Sequence, residues 1–266
     1  MLRLLSIEYR KLKTNNAFFI FTFFYFLALA GFAWIIGSVG VDIESINMNF
    51  GDIGVFDFPN IWQNITYIAA FFKIILAIII ITFITNEYQY RTLRQNLIDG
   101  LSKKEFIASK VLMMMVLAGI STLFVFAIIM IIGLTQSSFL EPDIIIMKSS
   151  FIFAYFLKLV AFFSMVMLIA FFVKKTGFSL ATLFIWAAII EPLMKYKVLP
   201  EGWDRILPLQ AMSNLIHEPF TRITNADKVF GNITYSSVDL TDVFITLGYT
   251  VIFIYLSYYI VKKRDL

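Results

Sequence analysis

A chain of 266 residues with 60% hydrophobic side chains and a mean hydropathy of +0.83 carries more apolar surface than one soluble core can hide, because a soluble exterior must be rich in charge. It reads as an integral membrane protein. The absence of cysteine excludes disulfides, thiolate metal sites and cysteine nucleophiles, the lone histidine, His217, makes a histidine metal cluster implausible, and the net charge of +4 is modest, its distribution mattering more than its sum; no nucleic-acid partner is expected.

In chain order, residues 1–16 place Leu2, Leu5, Tyr9 and Leu12 on one helical stripe and Arg3, Ser6, Arg10 and Lys13 on the next. That pattern fits a helix lying in the membrane interface, or simply a basic flank to the first span. Nearly uncharged runs about as long as a bilayer is thick then predict six membrane helices, at 17–36, 62–85, 110–134, 150–173, 177–193 and 243–261. The first has a rival reading as a signal peptide cut near Ala28-Leu29-Ala30. Apolar sequence running on through Ile36 favours a span, and the expected fold is an all-α, six-span membrane protein forming one domain over 1–266.

Six spans put both termini on one side. Arg3, Arg10, Lys11, Lys13, Arg91, Arg94, Lys103, Lys104, Lys110, Lys174, Lys175, Lys262, Lys263 and Arg264 share that side, against Lys148, Lys195, Lys197, Arg205, Arg222 and Lys228 on the other. The bias of basic residues assigns both termini to the cytoplasm. The first outer loop, 37–61, is acidic, with Asp42, Glu44, Asp52 and Asp57.

Between the second and third spans the chain turns polar over 86–109. "NEYQYRTLRQNL" has no proline or glycine, so the second helix is expected to run on past the membrane; Gly100 then supplies a left-handed stop, and Ser102 with Glu105 forms a capping box that opens the next helix. Such an elbow either binds lipid headgroups through Arg91, Arg94, Lys103 and Lys104, or presents Leu93, Leu97, Ile98 and Leu101 to a protein surface.

Lys73 falls near the middle of the second span and Lys158 within the fourth, where insertion scales put the cost of a lysine at about 2.5 to 3.5 kcal/mol. With Glu191 as the nearest intramembrane carboxylate, these residues either line a translocation cavity or are held by Glu191, backbone carbonyls and the rings of Phe72, Tyr155 and Phe162. Glu191-Pro192 is expected to break the fifth span. The outer region that follows, 194–242, contains "WDRILPLQAMSNLIHEPF", too apolar for an exposed loop and too short to cross, which fits re-entrant half-helices.

Four features in order resemble the permease subunit of an ATP-binding cassette exporter of the six-span type 2 family: "EYRKLKTNN" closing the N-terminal helix, "EYQYRTLRQNLIDGLSKKEFIASK" between spans two and three, a short fifth span, and "LPLQAMSNLI" before the last. Glu87, Thr92, Leu93, Gly100, Lys104 and Lys110 match the family's loop pattern; Arg91 stands where the family often has glycine before the threonine. The resemblance implies a cytoplasmic coupling helix seated in a cleft of an ATPase, with Glu87, Arg91, Thr92, Leu93, Arg94, Leu97, Gly100, Lys103 and Lys104 at that contact. It further implies two ATPase copies, a second permease subunit identical or similar to this one, and a place in the bacterial cytoplasmic membrane. No phosphate-loop signature occurs in the chain, so no cofactor is expected on it, and ATP with magnesium would sit on the partner. The expected function is export of a lipid, peptide, drug or glycan by alternating access; the alternative is an ion-coupled carrier or channel that needs no ATPase.

Overall fold

A chain in hydrocarbon must satisfy each backbone N–H and C=O within its own segment, which favours helices. The computed structural model describes residues 2–13, 16–38, 56–98, 100–200, 202–219 and 237–263, and among them there is no strand. Helices α1 (Leu2–Lys13) and α2 (Asn16–Ser38) come first. α3 (Ile61–Ala69) passes through one tight 3-10 turn, Ala70–Phe72, into α4 (Lys73–Gln89). A short α5 (Thr92–Ile98) leads to the long α6 (Lys103–Gln136), and α7 (Pro142–Ile146) to α8 (Ser150–Val173). α9 (Thr176–Ile185) continues as helix through α10 (Glu191–Leu193) to Val198; α11 (Pro208–Asn214) and α12 (Leu240–Lys263) follow.

Five of these helical paths are long and apolar enough to cross a membrane: Ile61–Gln89, Lys103–Gln136, Pro142–Val173, Thr176–Val198 and Leu240–Lys263. α2 adds a shorter apolar stretch, Phe18–Phe32. The core sits around α8, on which α4, α6 and α12 all pack. Its Leu159, Ala161, Phe163, Val166, Met167, Ala170 and Phe171 are wholly buried. Within the bundle the hydroxyls of Tyr25 on α2, Ser121 on α6 and Tyr155 on α8 bond to one another, so each satisfies a polar group that lipid would leave stranded. Much of the acidic loop expected at 37–61 lies outside the described residues, as do 220–236 of the outer region and the side chains of Arg94 and Leu97.

Two expectations need correction. The helix of the second span does not run on through the polar stretch. It ends at Gln89, and Arg91 takes a left-handed backbone, φ 54°, before α5 starts afresh. Nor does Glu191-Pro192 break the fifth span. The helix widens into π turns on either side, Trp186–Ile190 and Met194–Val198. A wider turn gives the proline ring room and absorbs its missing N–H, so the helix continues where an α-helix would stop or kink.

Candidate functional site

The polar elbow is a helix–turn–helix with a signal at each joint. Tyr90 donates its N–H to the Asn86 carbonyl, closing α4, and the Arg91 carbonyl accepts from Gln95 to open α5. At the far end Gly100 is left-handed at φ 93°, and Leu101 N–H reaches back to the Asn96 carbonyl at 3.0 Å, a helix stop of the type glycine permits. Ser102 Oγ then accepts from Glu105 N–H while the Glu105 carboxylate accepts from Ser102 N–H, the capping box read from the sequence. Thr92 opens α5. Leu93 is buried, while Arg91, Gly100 and Lys104 are exposed; Lys103 donates to the Lys262 carbonyl at the end of α12, 3.1 Å away.

Beneath the elbow lies a buried ion cluster. Lys110 on α6 donates to Glu87 of α4 at 2.6 Å and to Glu8 of α1 at 2.8 Å, and Lys11 donates to the same Glu87 oxygen at 2.8 Å. Ser109 Oγ donates to the other oxygen of Glu8 at 2.8 Å. The Lys110 ammonium also lies over the rings of Phe83 and Phe106, 4.2 and 5.2 Å from their centroids. The two lysines and two carboxylates balance, which is what makes their burial tolerable. Removing one member of such a set typically costs about 3 to 5 kcal/mol, since its partners keep their desolvation penalty without the attraction. The cluster therefore fixes three helices, α1, α4 and α6, at the root of the elbow.

Deeper in the bundle, Lys73 follows directly on the 3-10 turn and its ammonium lies 4.5 Å from the centre of the Phe162 ring. Lys158, one turn before Phe162 on α8, is only 3% exposed. Glu191 does not hold either lysine by a hydrogen bond. One of its oxygens accepts from Gln210 N–H at 2.7 Å and the other from Trp186 Nε1–H at 2.9 Å, so its carboxylate holds the first turn of α11 against the fifth helical path. Of the groups expected to hold these lysines, the Phe162 ring lies beside Lys73.

A family model for the ABC-2 family transporter protein matches residues 2–266. The chain belongs to the ABC-2 transporter family. No curated protein matches it. As an ABC-2 permease it is a multi-pass membrane protein and a component of transport, and the polar elbow and its ion cluster occupy one end of a bundle built on that plan.

At the other end of this ABC-2 permease, several residues with no sequence signal of their own join into a second polar assembly. Arg205, just before α11, bonds to Asp242 at 2.6 Å and also to Asp239, both at the start of α12. These bonds, that to Asp242 foremost, raise the guanidinium above its usual pKa; the Asp239 carboxyl is lowered, first by Thr241 N–H and then by Arg205. Lys195 pairs with Asp204 at 3.4 Å, and Tyr249 donates to the Ile206 carbonyl. Glu8, Lys11 and Ser109 have no part in the elbow as read from the sequence, although "EYRKLKTNN" begins at Glu8 and includes Lys11. The signal that points to Glu8 is that it is the only acidic residue in α1, and that Lys11 sits one turn on.

Proposed function

We propose that this permease is the membrane subunit of an ATP-driven exporter. Its six spans are α2, the Ile61–Gln89 path, α6, α8, the Thr176–Val198 path and α12; α1 lies in the cytoplasmic interface, and α11 with the turn before it forms re-entrant cover at the outer end. Both termini face the cytoplasm of a bacterial cell, and α5 is the coupling helix. Two ATPase subunits carry ATP and magnesium, and a second permease subunit completes the translocation path for a hydrophobic or amphipathic substrate, with Lys73, Lys158 and Glu191 lining it.

One observation carries this reading: a seven-residue helix, set off by left-handed residues before and after it, stands on a buried ion cluster that joins three helices. A lipid-binding loop needs only its charges. Mounting the charges on a short rigid element whose root is locked into the bundle is what transmission of force from an outside motor requires. Membership of a family that associates with ABC ATPases supports the same conclusion.

The test is copurification. Tagged permease expressed with its candidate ATPase should retain it. The double change Lys103→Glu, Lys104→Glu should cut retention at least about tenfold, as reversing charges at a docking surface slows association and loosens the complex. An ATPase retained equally by this variant would remove α5 and its flank from the interface. Transport that proceeds in vesicles with an ion gradient and no nucleotide would replace the exporter by an ion-coupled carrier or channel.

A further inference from the structure

The two lysines inside the bundle leave a charge imbalance that the neighbouring residues do not settle. Lys158 is buried and makes no hydrogen bond or ion pair among the described residues; the one charge set against it is Lys73, of the same sign. Lys73 is half-buried and rests on the Phe162 ring, with Glu191 as the carboxylate within electrostatic range. Glu191, however, is committed on both oxygens to Gln210 and Trp186. Two lysines, on α4 and α8, therefore share the bundle interior with a single carboxylate that hydrogen-bonds neither of them. An uncompensated cation in an apolar interior is costly, and such residues mark binding sites or pathways.

We propose that Lys73 and Lys158 together bind the phosphate of an anionic amphiphile that enters from the lipid phase. Phosphate suits the pair because an ammonium recognises it as a point charge and several oxygens are available to two donors. Lipid is the favoured source because the approach to Lys73 is apolar: Phe71 and Ile74, beside it in the chain, are more than half exposed on the bundle surface. The Ala70–Phe72 turn next to it interrupts the α-helix, the kind of mid-helix 3-10 stretch that often marks a hinge. This names the substrate class for the pathway assigned above and rests on that assignment.

The experiment uses the full chain in nanodiscs of phosphatidylcholine containing a small fraction of phosphatidylglycerol, with retained lipid counted by native mass spectrometry. Phosphatidylglycerol should be enriched over phosphatidylcholine. Lys158→Met should lower that enrichment about tenfold or more, Lys73→Met should lower it as well, and Lys158→Arg should preserve it. Neither methionine removes a hydrogen bond, so loss of fold is not expected, and the two variants check each other. Equal retention of both lipids, or enrichment untouched by either methionine, overturns the site. Stabilisation by inorganic phosphate alone, lost in Lys158→Met and without lipid enrichment, overturns the lipid source. Because retention is read without nucleotide or ATPase, lysine-dependent enrichment in a chain that pairs with no ATPase would leave this site standing and sink the exporter reading; ATPase pairing with lysine-independent retention would do the reverse.

Discussion

At φ 54°, Arg91 holds a backbone conformation that its Cβ opposes, at a cost of roughly 1 to 2 kcal/mol for a residue other than glycine. Glycine would avoid that clash and give back part of the gain in chain entropy. Arg91→Gly is therefore expected to stabilise the detergent-solubilised protein by about 1 kcal/mol, seen as a rise of about 2 to 4 °C in thermal unfolding. The same variant removes a charge from the elbow, so ATPase retention should fall while Tm rises; a lowered Tm would show that Arg91 is not left-handed in the folded protein. This residue marks the boundary of what the sequence displays. Gly100, Ser102 and Glu105 carry local codes that hold wherever they occur, so that end of the elbow is legible from its residues alone. Arginine carries no code for a left-handed turn, and only the family's glycine at the same place hinted that the helix would break there.

Among the elements, the apolar runs were legible because hydrocarbon leaves the backbone little choice, whereas the helix through Pro192 was not. Proline's local preference says stop; the Trp186–Ile190 and Met194–Val198 π turns override it, and the Glu191 carboxylate that bonds Gln210 and Trp186 draws on residues distant in sequence. The position of α11 is likewise tertiary, since it rests on Arg205 reaching Asp239 and Asp242 across an intervening stretch. Here a pH dependence follows. Asp239 has its pKa lowered from 3.8, so its support for the folded arrangement is complete above that value and is lost as pH falls through the lower, folded one. Hydrogen exchange over 204–214 should therefore be unchanged between about pH 7 and 5 and accelerate only below about pH 4, after correction for intrinsic rates. Arg205→Gln should show the faster exchange already at neutral pH. Exchange that quickens near pH 6 in the unaltered protein would assign the latch to some other group.

For the whole molecule, the side of the membrane on which the elbow stands decides whether any of the coupling chemistry is possible. α6 has 34 residues, about 50 Å at 1.5 Å per residue, more than the thickness of a bilayer's hydrocarbon core. Its start and the segment beyond its end must then lie at opposite surfaces. Lys104, in the first turn of that helix, and Asp143, beyond its end, are both exposed, and the chain has no cysteine, so a single introduced thiol at either place reports without background. In intact cells a membrane-impermeant maleimide should label Asp143→Cys and leave Lys104→Cys untouched. In inside-out vesicles the pattern should reverse. The elbow's basic residues and those at both termini share one side under the basic-residue bias, and on the proposed reading an ATPase fed by cytoplasmic ATP requires that side to be the cytoplasmic one. Labelling of Lys104→Cys from outside the cell would therefore invert the topology, detach α5 from any cytoplasmic motor, and leave an ion-driven carrier as the reading that fits the same bundle.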